Sequence, residues 1–150
     1  MSAIEDLAVE LRVLHKALLQ PARARYEQLH GPVPGTLQLL QLLVQDPSFA
    51  WLRRLSEVMA DLDEMIDTGA PTEDEQGAVR RELEQLLSPA GGDLWTTITA
   101  ALQDHADVAT AYARVRQLLL RLPPAPPADE AAALHARHRW AELRRHRSPS

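Results

Sequence analysis

Glu27 and His30 stand one helical turn apart, and a carboxylate and an imidazole at that spacing can aim at one metal ion, as in the Glu-x-x-His pairs of ferritin-like di-iron bundles. Such a site needs a second pair and two further inward carboxylates, and no second Glu-x-x-His occurs in the 150 residues. Glu27 and His30 are therefore the candidate metal ligands, and His30 also suits a plainer role as a cation near a helix C-terminus, just before Gly31-Pro32. His135 and His138 are again one turn apart, with His146 beyond them, but no orderly third ligand accompanies them in a segment dominated by alanine and arginine. Ser56 precedes Glu57 without a Gly-x-Ser-x-Gly elbow and without a histidine nearby in sequence, so nothing marks it as a nucleophile. His15 and His105 sit at the borders of apolar patterns. Gly91-Gly92 lacks the lysine and preceding strand of a phosphate loop, and the absence of cysteine excludes disulfides and thiolate chemistry. No catalytic residue and no cofactor is expected.

Charge offers a different kind of site. Asp61, Asp63, Glu64 and Asp67 crowd the last two turns of one helix, where the negative end of the macrodipole disfavours carboxylates, and Glu73, Asp74 and Glu75 follow closely. Arg137, Arg139, Arg144, Arg145 and Arg147 are their opposite at the other end of the chain. The expectation is that the basic tail docks on the acidic end, within one chain or across a dimer. Exposed ion pairs of that kind contribute only ~0 to 1 kcal/mol each, and a solvated tail is the plainer reading. Arg121-Leu122-Pro123-Pro124-Ala125-Pro126-Pro127 fits the basic, proline-rich form read by SH3-type grooves, but a stiff polyproline II spacer is the simpler role.

Before Leu122, eleven basic residues meet eighteen acidic ones; from Leu122 onward, five arginines meet three acids. An acidic body with a mildly basic tail lacks the concentrated cationic face that nucleic acid requires. The first residues show no secretory pattern and no apolar run reaches the ~20 residues that span a bilayer, so neither nucleic acid nor membrane is an expected partner and a cytoplasmic location is expected.

The elements that would carry these residues read as helices throughout. Ser2 with Glu5 forms a capping box, and Ile4, Leu7, Leu11, Leu14 and Leu18 follow at threes and fours; Pro21 is expected to kink or split that helix before His30. Residues 36–45 leave only Gln38, Gln41 and Gln45 as a polar strip among five leucines and Val44, so this short helix needs cover from the rest of the bundle or from a second chain. Asp46-Pro47 starts the next helix, whose stripe runs Trp51, Leu55, Val58, Leu62 and Met65 with the carboxylates on the other side. Pro71-Thr72 with Glu75 opens a fourth, Asp93 is expected to cap a short fifth, and Asp104 or Asp107 a last one through Val108, Tyr112, Val115, Leu119 and Leu122. The predicted fold is all-α: a compact helical bundle of four main helices in residues 1–122, short helices near 36–45 and 93–103, then a proline-rich linker and basic tail helix in 123–150. Its expected core includes Leu40, Leu43, Trp51, Leu55, Val58, Leu62, Leu83, Trp95 and Tyr112.

His30-Gly31-Pro32-Val33, then Asp46-Pro47-Ser48-Phe49-Ala50-Trp51-Leu52-Arg53 and Leu55-Ser56-Glu57, resembles a group of small uncharacterised all-helical proteins of bacteria, over roughly residues 10–121. The resemblance implies an all-helical fold and a bacterial source, and it carries no assigned activity or functional residues. The chain is expected to be a noncatalytic protein-interaction or structural module, as a homodimer and with a possible further protein partner. The alternative is a metal- or ligand-binding four-helix bundle with oxidoreductase chemistry at Glu27 and His30.

Overall fold

Two helices begin where the sequence places a reciprocal cap. The Ser2 hydroxyl accepts from the Glu5 amide at 3.3 Å while the Glu5 carboxylate accepts from the Ser2 amide, and Thr72 and Glu75 repeat the arrangement at 3.1 Å in both directions. The computed structural model describes residues 2–124. Among them it contains six α-helices and no strand: α1 (Ala3–His30), α2 (Thr36–Gln45), α3 (Ala50–Asp67), α4 (Glu73–Leu86), α5 (Asp93–Ala101) and α6 (Ala106–Arg121). No helix among the described residues is long and apolar enough to cross a membrane. Residues 125–150 lie outside the description, and with them the expected tail helix, Arg137, Arg139, Arg144, Arg145, His135, His138 and His146.

α1 is the central element, packed along α3 and α6. His15 meets Ser56 and Arg12 meets Asp63, so α3 runs antiparallel to it. Glu10 pairs with Arg114 at 3.6 Å, while Ala24 and Gln28 share a cleft with Asp104 and His105, so α6 is antiparallel as well. Leu7, Leu11, Leu14 and Leu18 of α1 are fully shielded from solvent, as are Leu55, Val58 and Leu62 of α3 and Val115 of α6. Each such leucine contributes on the order of 1.5 to 3 kcal/mol by leaving water. Arg80 of α4 donates to the Leu122 carbonyl at 2.8 Å as well as to Glu84 at 2.6 Å, tying α4 to the end of α6.

Several details differ from the sequence expectations. α1 continues as one helix through Pro21 instead of splitting, because apolar packing on both sides, from Leu18 to Ala22, holds the segment despite the missing amide. Asp46 caps a 3-10 turn, Pro47–Phe49, that leads into α3, with its carboxylate accepting from the Ser48 amide at 2.8 Å. Asp93 is the first residue of α5 and Gly92 precedes it without a side-chain cap. The residue before α6 is His105, and Asp107 accepts only from the neighbouring Val108 amide. Trp51, Trp95, Tyr112 and Leu43 are half-buried flanks of the core, and Leu40 is outside it, 53 % exposed.

Candidate functional site: an outward apolar helix

Glu27 is held by its own neighbourhood. One carboxylate oxygen accepts from Arg23 Nε at 3.0 Å and the other from the Val33 amide at 3.1 Å, while Arg23 also donates to the Val33 carbonyl at 3.2 Å. Together they fasten the turn after α1, in which Gly31 adopts φ +90, a region that favours glycine, and Val33 is buried. His30 is exposed at the end of α1 and lies against the Tyr26 ring at 4.5 Å, which in turn meets Phe49 at 5.3 Å. Among the described residues, no three His, Asp or Glu side chains converge as a metal site.

The carboxylates of α3 do not form one surface. Asp61, expected on the polar side, is 1 % exposed, because it stands three residues after Val58 and four before Met65, at the edge of the buried face. Asp63 pairs with Arg12, Glu64 is half-buried and, of the four at this helix end, only Asp67 is fully on the outside. The cation that offsets the acidic helix end at Asp63 thus comes from α1, across the helix pair.

His15 Nε2 lies 2.7 Å from Ser56 Oγ, a serine–histidine contact spanning 41 residues that has no sequence signature. Ser56 donates to the Leu52 carbonyl at 3.2 Å, and its oxygen is then able to accept from Nε2–H of the matching His15 tautomer. Both residues sit mid-helix, where the backbone amides are already bonded within the helix and none can hold an oxyanion. Burial pushes the His15 pKa below its ordinary value, which favours the neutral ring. The contact joins α1 to α3.

α2 is different. Successive residues turn by about 100°, which sorts its side chains into three strips. Leu39, Leu42 and Leu43 face the body and are half-buried; Gln38, Gln41 and Gln45 form one flank; Leu37, Leu40 and Val44 point away from the body, 70 %, 53 % and 68 % exposed. No residue of α2 is fully buried. The helix is nonetheless firmly mounted. The Glu27–Val33–Arg23 bonds fix its leading end, and Arg53 of α3 donates to the Leu43 and Asp46 carbonyls at 3.0 and 2.8 Å, satisfying acceptors at its C-terminus. Bonds from Ser48 hold the Asp46 carboxyl below its ordinary range. The glutamine flank forms one wall of an open groove of about 490 Å³, with Tyr26, His30 and Pro32 on the facing side.

The apolar composition of residues 36–45 is legible in the sequence; which of its leucines point outward is not. No family model matches this chain, and no curated protein or solved structure matches it.

Proposed function

We propose that this chain is a noncatalytic, cytoplasmic protein-interaction module: a helical bundle of α1, α3, α4 and α6 on which α2 is mounted as the contact element. The observation that carries this reading is the outward strip Leu37, Leu40 and Val44 on a helix with no fully buried residue and with side-chain bonds to its connecting backbone at both ends. A contiguous apolar strip held in water by a rigid mount costs stability unless another surface covers it. A flexible segment could turn such residues inward, but α2 is anchored with them facing out. The surface elsewhere is rich in charge, which suits an aqueous compartment.

A photo-activatable residue placed at Leu40, compared with one at exposed Arg116 on α6, tests this in the cells that express the protein. Illumination is expected to give a discrete cross-linked species from position 40 and none from position 116. No species from position 40 would overturn the reading.

A further inference from the structure

We infer that the surface covering α2 is the α2 of a second copy of this chain, paired antiparallel about a two-fold axis near Leu40. The inference rests on the reading of α2 as a contact element and names its partner.

Charge is the first argument. Residues 1–121 carry seven more acidic than basic side chains, so two copies repel over most of their surfaces. A patch without net charge lets two such chains meet free of that repulsion, and α2 has no charged residue from Thr36 to Gln45, including its first and last turns. A partner recruited by opposite charge would be met through charged residues, which α2 lacks.

Register is the second. Leu37, Leu40 and Val44 are spaced by three and then four, so an antiparallel mate brings Leu37 opposite Val44 of the partner subunit and Leu40 beside Leu40 of the partner subunit. The helix N-terminus supplies a third argument. Gly35 precedes α2 with no side-chain cap, leaving the first amides without a side-chain acceptor. In the antiparallel pair Gln45 of the partner subunit comes beside those amides, and the two macrodipoles oppose one another favourably. The strip is smaller than the roughly 800 Å² per partner of a standard interface, so dissociation constants on the order of micromolar are expected.

Sedimentation equilibrium of the full chain from about 1 to 200 µM is expected to show a reversible monomer–dimer equilibrium. Leu40→Glu should weaken dimerisation at least tenfold while leaving the helical circular dichroism signal of the dilute protein unchanged, because the replaced side chain is exposed. A wild type that stays monomeric, or a dimer that Leu40→Glu does not weaken, overturns the pairing. If cross-links from Leu40 in cells then join the chain to another protein, the interaction module stands and only the identity of its partner fails. Orientation is tested separately, because the natural chain contains no cysteine. Leu40→Cys chains should oxidise to disulfide-linked dimers, Leu37→Cys chains alone should not, and a mixture of Leu37→Cys and Val44→Cys chains should. Equal cross-linking by Leu37→Cys alone would overturn the antiparallel register.

Discussion

At the scale of single residues, the contact of His15 with Ser56 couples the fold to pH. Burial lowers the His15 pKa beneath its ordinary value of 6.5, so in the window below 6.5 the unfolded chain binds more protons than the folded one. The contribution is complete above that value and is lost as pH falls through the window toward the lowered pKa. Urea midpoints measured from about pH 7.5 to about pH 5 should fall more steeply for the wild type than for His15→Gln; equal slopes would contradict a neutral buried ring. Glu27 offers a second residue-level test. Glu27→Ala removes the acceptor of the Val33 amide in a part-buried turn and should cost about 1 kcal/mol, with faster hydrogen exchange at Val33. Neither role was legible. The Glu-x-x-His spacing suggested ligands because it places both residues on one helix face, but the partners of Glu27 come from the turn that the chain makes after the helix ends. The His15–Ser56 contact depends on the pairing of two helices.

At the scale of elements, the stripes of α1 and α3 were readable because a helix that packs along its whole length needs an apolar residue every three or four positions. Leu55 and Leu62 are fully buried, and replacing either with Ala should lower stability by about 2 to 5 kcal/mol in denaturant titration. A loss below about 1 kcal/mol would contradict the packing of α3 against α1. Pro21 deprives the Ala17 carbonyl of its helical partner inside an unbroken α1, so Pro21→Ala should raise the unfolding midpoint, by about 1 to 3 kcal/mol in stability. A lower midpoint would mean that the local geometry at Pro21 is needed for packing. α2 escapes the periodicity rule, since leucines occupy both its inner and outer strips and the pattern alone cannot say which strip is covered. Its amides should exchange ahead of those of α1, α3 and α6 in the Leu40→Glu chain, because the side-chain bonds hold its ends while no side chain along it is fully buried.

At the scale of the whole molecule, α1 joins its neighbours through one continuous core that includes side chains from α3, α4, α5 and α6. Unfolding of the Leu40→Glu chain should therefore be a single transition, with tryptophan fluorescence and far-ultraviolet dichroism giving the same midpoint. Separate midpoints would show that the elements around Trp51 or Trp95 unfold on their own. The acidic excess of residues 1–121 acts over the same scale. Added salt screens repulsion between copies, so the association measured through α2 should strengthen from low to physiological ionic strength, where a contact built on ion pairs would weaken.

From the amino-acid order alone it follows that the described chain is helical, that α1, α2 and α4 begin where they do, and which leucines of α1 and α3 are buried. Those properties follow from local chemistry: caps satisfy amides within one turn, and periodicity marks one face of one helix. Tertiary structure alone decided that Asp61 is covered while Leu40 is not, that Glu27 secures a turn and that His15 meets Ser56. Each depends on which helix lies beside which, a choice set by the packing of whole elements and not by any short stretch of residues.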